Sequence, residues 1–104
     1  MIFIETPVFT KAITGLLSDD SYKELQKTLL FRPESGAVIK GSSGLRKMRW
    51  KLANKGKSGS LRIIYYWDVP DVIYMLYPYE KTKQEDLTPE QIKILSELMK
   101  EYLQ

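Results

Sequence analysis

The chain has 104 residues, 43% of them hydrophobic and 28% charged, with a formal charge of +3, the balance of one globular domain with a single modest core. It holds no cysteine and no histidine, which excludes a disulfide framework, a thiolate nucleophile, and the commonest metal ligand and general base. Any catalysis must then use Lys, Arg, Tyr, Asp or Glu, and neither a metal nor a cofactor is expected.

In chain order, Ile2-Phe3-Ile4 is a short apolar run suited to a buried strand. Thr6-Pro7 follows as a side-chain cap and a proline at the first helical position. Val8, Phe9, Ala12, Ile13 and Leu16 recur at helical spacing, predicting a short helix to about Leu17. Asp19, Asp20 and Ser21 open a second helix, Tyr22, Leu25 and Leu29 give it an apolar face, and Pro33 stops it; it should run from about Asp20 to Phe31. Gly36, Gly41 and Gly44 then punctuate the chain before the alternating segment Leu45 to Leu52, where Lys47, Arg49 and Lys51 share one face and Arg46, Met48 and Trp50 the other.

Asn54 to Ser60 is rich in Lys, Gly and Ser and reads as a mobile loop. Leu61 to Trp67 reads as a strand, Asp68 to Asp71 as a turn around Pro70, and Val72 to Tyr79 as the next strand, completing an antiparallel meander. Thr88-Pro89-Glu90-Gln91 is the best-marked helix start, with a capping box and Leu87 placed to staple onto Ile92. Ile92, Leu95, Met99 and Tyr102 form the stripe of this last helix, which should dock on the sheet face opposite the basic one. The expected fold is α+β: a small twisted antiparallel sheet of about four strands, two N-terminal helices and one C-terminal helix, in a single domain over residues 1–104. No apolar run approaches the roughly 18 to 20 residues that span a bilayer, and Met1 to Glu5 does not resemble a signal peptide, so no membrane is expected and the reading is cytoplasmic.

The charges are segregated. Of the sixteen basic residues, eight lie between Ser35 and Trp67 with no acidic residue among them, leaving the other eight to face all thirteen acidic ones. Such segregation concentrates positive field on one part of the surface and favours an anionic partner. Arginine forks phosphate oxygens bidentately; lysine is a compact charge that gives up its proton more readily when other cations crowd it. Lys47, Arg49 and Arg62 on a sheet, fringed by Lys51, Lys55 and Lys57, suit a phosphate backbone. Tyr65, Tyr66, Tyr77 and Tyr79 could stack bases, although Tyr65 and Tyr74 in particular read as core.

Three pieces carry a resemblance: Gly44-Leu45-Arg46-Lys47-Met48-Arg49; Gly56-Lys57-Ser58-Gly59 with Arg62-Ile63-Ile64-Tyr65-Tyr66; and Tyr79-Glu80-Lys81-Thr82-Lys83 with Asp86-Leu87. In this order the chain resembles the RelE/ParE superfamily of toxins from type II toxin-antitoxin pairs, and specifically its HigB-like branch, over nearly its whole length. The resemblance implies a metal-independent endoribonuclease that cleaves messenger RNA in the ribosomal decoding site, by attack of the ribose 2′-OH on the adjacent phosphate. It implies Lys47 as base, Arg49 and Arg62 as the phosphate clamp, and Lys81 assisting the leaving oxygen. Arg46, Lys51, Lys55, Lys57, Lys83 and Tyr79 would contact RNA and the ribosome. The implied partners are the ribosome with its message and a cognate antitoxin, HigA-like and DNA-binding, with a heterotetramer as a possible assembly. The chain departs from relatives that carry an arginine and a tyrosine near the C-terminus; here an acidic helix stands there, which leaves the general acid open. Competing readings are a toxin of the same fold that acts on a protein such as gyrase, and a non-catalytic RNA-binding module.

Overall fold

The structure, a computed structural model, describes residues 1–52 and 59–104. The elements are β1 (Ile2–Glu5), α1 (Pro7–Leu16), α2 (Asp19–Phe31), β2 (Ala37–Val38), β3 (Arg46–Lys51), β4 (Ser60–Asp68), β5 (Val72–Glu80) and α3 (Pro89–Tyr102). The expected α+β class and the β3–β4–β5 meander are present. The sheet, however, has five strands in the order β1-β5-β4-β3-β2 and is mixed, because β1 runs parallel to β5. Two helices follow β1 and deliver the chain to the far edge; the antiparallel strands then step back one by one, and β5 arrives beside β1 pointing the same way. The two-residue β2 is too short to leave a periodic signal.

Each helix starts on the side-chain cap that its sequence provides. Thr6 Oγ1 accepts from the Phe9 N–H at 3.0 Å and donates to the Leu76 carbonyl at 2.9 Å, tying the start of α1 to β5. Ser18 caps α2, one residue before the acidic pair expected to do so, and Thr88 with Gln91 forms the capping box of α3. Tyr65 pins the segment after α2: its hydroxyl donates to the Pro33 carbonyl and accepts from the Gly36 N–H, both at 2.7 Å.

Both faces of the sheet are covered. Phe9 and Ile13 of α1 and Leu25 and Leu29 of α2 pack on Met48, Ile63, Tyr65, Ile73 and Met75. Leu87, Ile92, Leu95 and Met99 pack on Leu45, Ile64, Tyr74 and Leu76. Cross-strand partners share a face, and Ile64 pairs with Lys47 while Arg62 pairs with Arg49. The helix α3 therefore lies on the basic face, contrary to expectation. Leu-Arg-Ile-Ile-Tyr-Tyr-Trp places large apolar residues on both faces of β4, so one face is divided lengthwise: the apolar half takes α3 and the charged half stays open.

A β-bulge completes this division. Ile64 pairs with Tyr77 but Tyr65 pairs with Met75, leaving Leu76 as the extra residue. Val72, Tyr74 and Leu76 would by simple alternation bring Pro78 and Glu80 to the α3 face. The bulge resets the phase, so Tyr77 and Tyr79 appear there instead, beside Ile64 and Arg62.

Candidate functional site

The open half of this face consists of rungs across the strands. Arg49, Arg62 and Tyr79 form the central rung over β3, β4 and β5. Lys47, Ile64 and Tyr77 form the rung on one side, and Lys51 with Ser60 the rung on the other. The register thus brings together Lys47, Arg49, Lys51 and Arg62, and the bulge adds Tyr79, which the sequence pattern did not place there.

The central rung is poorly compensated. Arg62, read from the sequence as part of the cationic platform with Lys47 and Arg49, is only 8% exposed. Its guanidinium donates to Ser60 Oγ at 2.9 Å and makes no ion pair among the described residues. Arg49 stands directly across from it and is exposed. Like charges directly opposite on adjacent strands destabilise a sheet, and a buried cation without a counterion costs several kcal/mol of desolvation. An anion seated on the pair relieves both.

Tyr79 shares the rung. Its ring is 5% exposed and packed in the α3 core, so it is not available as a stacking platform; the expectation that it contacts a base is corrected. Its hydroxyl is buried and has no hydrogen-bond partner among the described residues. Burial, and then the nearby Asp86 carboxylate, push its pKa up to about 12, against a smaller opposing effect of Arg62. Asp86 raises it by its field and, more weakly, as a nearby hydrogen-bond acceptor, although no bond of standard geometry forms. The phenol is accordingly held protonated, with the Asp86 carboxylate nearby but no well-formed hydrogen bond among the described residues.

Lys47 differs from its neighbours. Its Nζ lies 3.0 Å from Asp86 Oδ1, which also accepts the Leu87 N–H at 2.9 Å. The bond from Lys47 and that from the Leu87 N–H hold the Asp86 carboxyl below the usual carboxylate range. The crowding by like charge expected at Lys47 is thus offset by a carboxylate 39 positions away in sequence. Nothing in the pattern of either segment announces that pair. Ser60, the acceptor of Arg62, was read as the end of the loop but is the first residue of β4; its place two residues before Arg62, on the same strand face, is the signal that could have found it.

The remaining expected residues divide. Lys81 is exposed in the turn after β5, and its N–H donates to the Ser60 carbonyl at 3.2 Å, placing the turn at the open end of the site. Lys83 is occupied by Glu80 at 3.2 Å. Arg46 belongs elsewhere: on the opposite face it donates to the Gly36 carbonyl at 2.8 Å and lies 6.0 Å from the Trp67 ring centre, so it is a structural anchor and not part of the basic face. Lys55, Lys57 and most of the expected loop lie outside the described residues. Tyr65 and Tyr74 are core, as read.

No group of three or more acidic side chains suited to a metal ion occurs among the described residues. No helix among them is long and apolar enough to cross a membrane. No protein-family model matches the chain.

Proposed function

We propose that this protein is a ribosome-dependent endoribonuclease, the toxin of a type II toxin-antitoxin pair of the HigB-like kind, acting on messenger RNA in the decoding site. The observation that carries the reading is the buried Arg62, without a counterion among the described residues and facing Arg49, in a rung that ends on the buried Tyr79 hydroxyl. That is a seat for a phosphate, and the flanking Lys51 and Lys47 extend it along a strand.

In the proposed reaction the ribose 2′-oxygen bonds to phosphorus while the bond from phosphorus to the 5′-oxygen breaks. The products are a 2′,3′-cyclic phosphate and a 5′-hydroxyl. Lys47 is the proposed acceptor of the 2′-OH proton, Arg49 and Arg62 stabilise charge developing on the phosphoryl oxygens, and Tyr79 or Lys81 returns a proton to the leaving oxygen. With no histidine to provide a strong acid-base pair, positioning by the ribosome provides much of the acceleration. A cognate antitoxin, acidic where it covers the basic face, is the proposed protein partner, and the cytoplasm the proposed compartment.

The test is a purified translation system with a defined message, with 5′ ends mapped with and without ribosomes. Cleavage confined to translated message, and abolished by Arg49→Ala with Arg62→Ala, is expected. Cutting by the folded double variant at the wild-type rate overturns the assignment of the site, and absence of cutting by the wild-type protein overturns the activity.

A further inference from the structure

Among the described cations of the open sheet face, Lys47 is the one with a carboxylate of its own. Asp86 Oδ1 receives its ammonium at 3.0 Å and is held from the other side by the Leu87 N–H at 2.9 Å. Asp86 lies just before α3, whose capping box begins at Thr88, so the helix start fixes the carboxylate against the sheet. The Asp86 side chain is 67% exposed and that of Lys47 34%, so the pair borders solvent and can open without unpacking the core. Arg49 and Arg62 have no ion-pair partner among the described residues. A carboxylate oxygen at hydrogen-bond distance from Lys47 occupies a place that a phosphate oxygen would take.

We propose that Asp86 is a built-in competitor of the anionic ligand, holding Lys47 in the free protein and releasing it when a phosphate of a bound strand takes its place. This rests on the reading of the open face as a phosphate site. It makes Asp86 a regulator of affinity there. Arg49 and Arg62 receive the phosphate first, and Lys47 joins only after exchanging one anion for another.

The experiment compares binding of a short single-stranded RNA, and separately of inorganic phosphate, to the wild type, Asp86→Asn, and Glu85→Gln. The last removes the same charge from the adjacent, exposed position. Ion pairs this exposed are worth up to about 1 kcal/mol, so Asp86→Asn should bind RNA up to about fivefold more tightly than Glu85→Gln. In a Lys47→Ala background the advantage should vanish, as a double-mutant cycle requires of two groups that act on each other. Equal affinities for Asp86→Asn and Glu85→Gln overturn the proposal, as does an advantage that survives in Lys47→Ala. A second measurement needs no ligand: the Asp86 carboxyl, followed by NMR, should titrate below the usual carboxylate range and move upward in Lys47→Ala. An unmoved Asp86 overturns the proposal even if nothing binds. Failure of the phosphate reading itself has a separate signature, RNA binding indifferent to Arg49→Ala with Arg62→Ala.

Discussion

Replacing Arg62 with methionine should make the protein more stable and less able to hold an anion. Arg62 is 8% exposed, its guanidinium has one hydrogen bond among the described residues, to Ser60 Oγ, and it faces Arg49 across the strand pair. Methionine keeps an unbranched stem against the sheet and removes the charge. Relief of the cross-strand repulsion contributes roughly 0.2 to 1 kcal/mol. Relief of desolvation contributes several kcal/mol more, against about 1.5 to 3 kcal/mol lost with the charged hydrogen bond to a serine that water can reach. The net is a gain of about 1 to 2 kcal/mol, or a rise in Tm of roughly 4 to 16 °C for a domain of this size. Urea unfolding in a buffer free of phosphate and sulfate, with unchanged m, is the assay. Adding phosphate should then reverse the ranking, because an anion at one hundred times its Kd stabilises the wild type by about 2.7 kcal/mol and should leave the variant nearly untouched. In the ribosome assay the variant should lose about a hundredfold in cleavage rate, the usual loss for one transition-state donor. A variant destabilised by more than about 1 kcal/mol without phosphate would refute the reasoning, since Arg62 would then be structurally satisfied and no vacancy for an anion would follow.

Two tyrosine-to-phenylalanine changes should separate structure from function. Tyr65→Phe strands the buried Gly36 N–H and frees the Pro33 carbonyl, and should cost about 2 to 3 kcal/mol in urea unfolding. Tyr79→Phe removes a hydroxyl that has no partner among the described residues, and should leave stability within about 0.5 kcal/mol or raise it, while slowing cleavage. Because burial raises the folded pKa of Tyr79 from 10.0 to about 12, its titration leaves stability untouched below pH 10 and lowers it as pH rises toward 12; Tyr79→Phe should flatten that alkaline decline. Asp86 has the opposite sign: its folded pKa is lowered from 3.8, so its contribution is present above that value and is lost as pH falls below it, and Asp86→Asn should remove a small part of the acid slope, small because the pair is exposed. Gly36→Ala places a Cβ 2.8 Å from the Tyr65 ring and 3.0 Å from the Lys47 backbone, and should cost about 1 to 3 kcal/mol by thermal unfolding.

The sequence by itself determined the elements whose causes are local. Thr6-Pro7 and the Thr88 to Gln91 box start helices because capping needs only side chains within three residues of the freed N–H groups. Alternation in Arg46–Lys51 put Lys47, Arg49 and Lys51 on one face because the period of a strand is two, and it separated Arg46 from them for the same reason. Tertiary structure decided what depends on residues distant in sequence. The parallel pairing of β1 with β5 joins segments about seventy positions apart, and no local pattern specifies a strand's neighbour. The placement of α3 on the basic face followed from a bulge at Leu76 and from β4 being apolar on both sides, which periodicity cannot resolve. The charge of Arg62 was legible, but its burial was not, because burial depends on what the fold sets beside a residue and not on the local pattern. Asp86 looked like one acid among several in its loop; folding alone set it 3.0 Å from Lys47, and that contact gives the two residues a shared role.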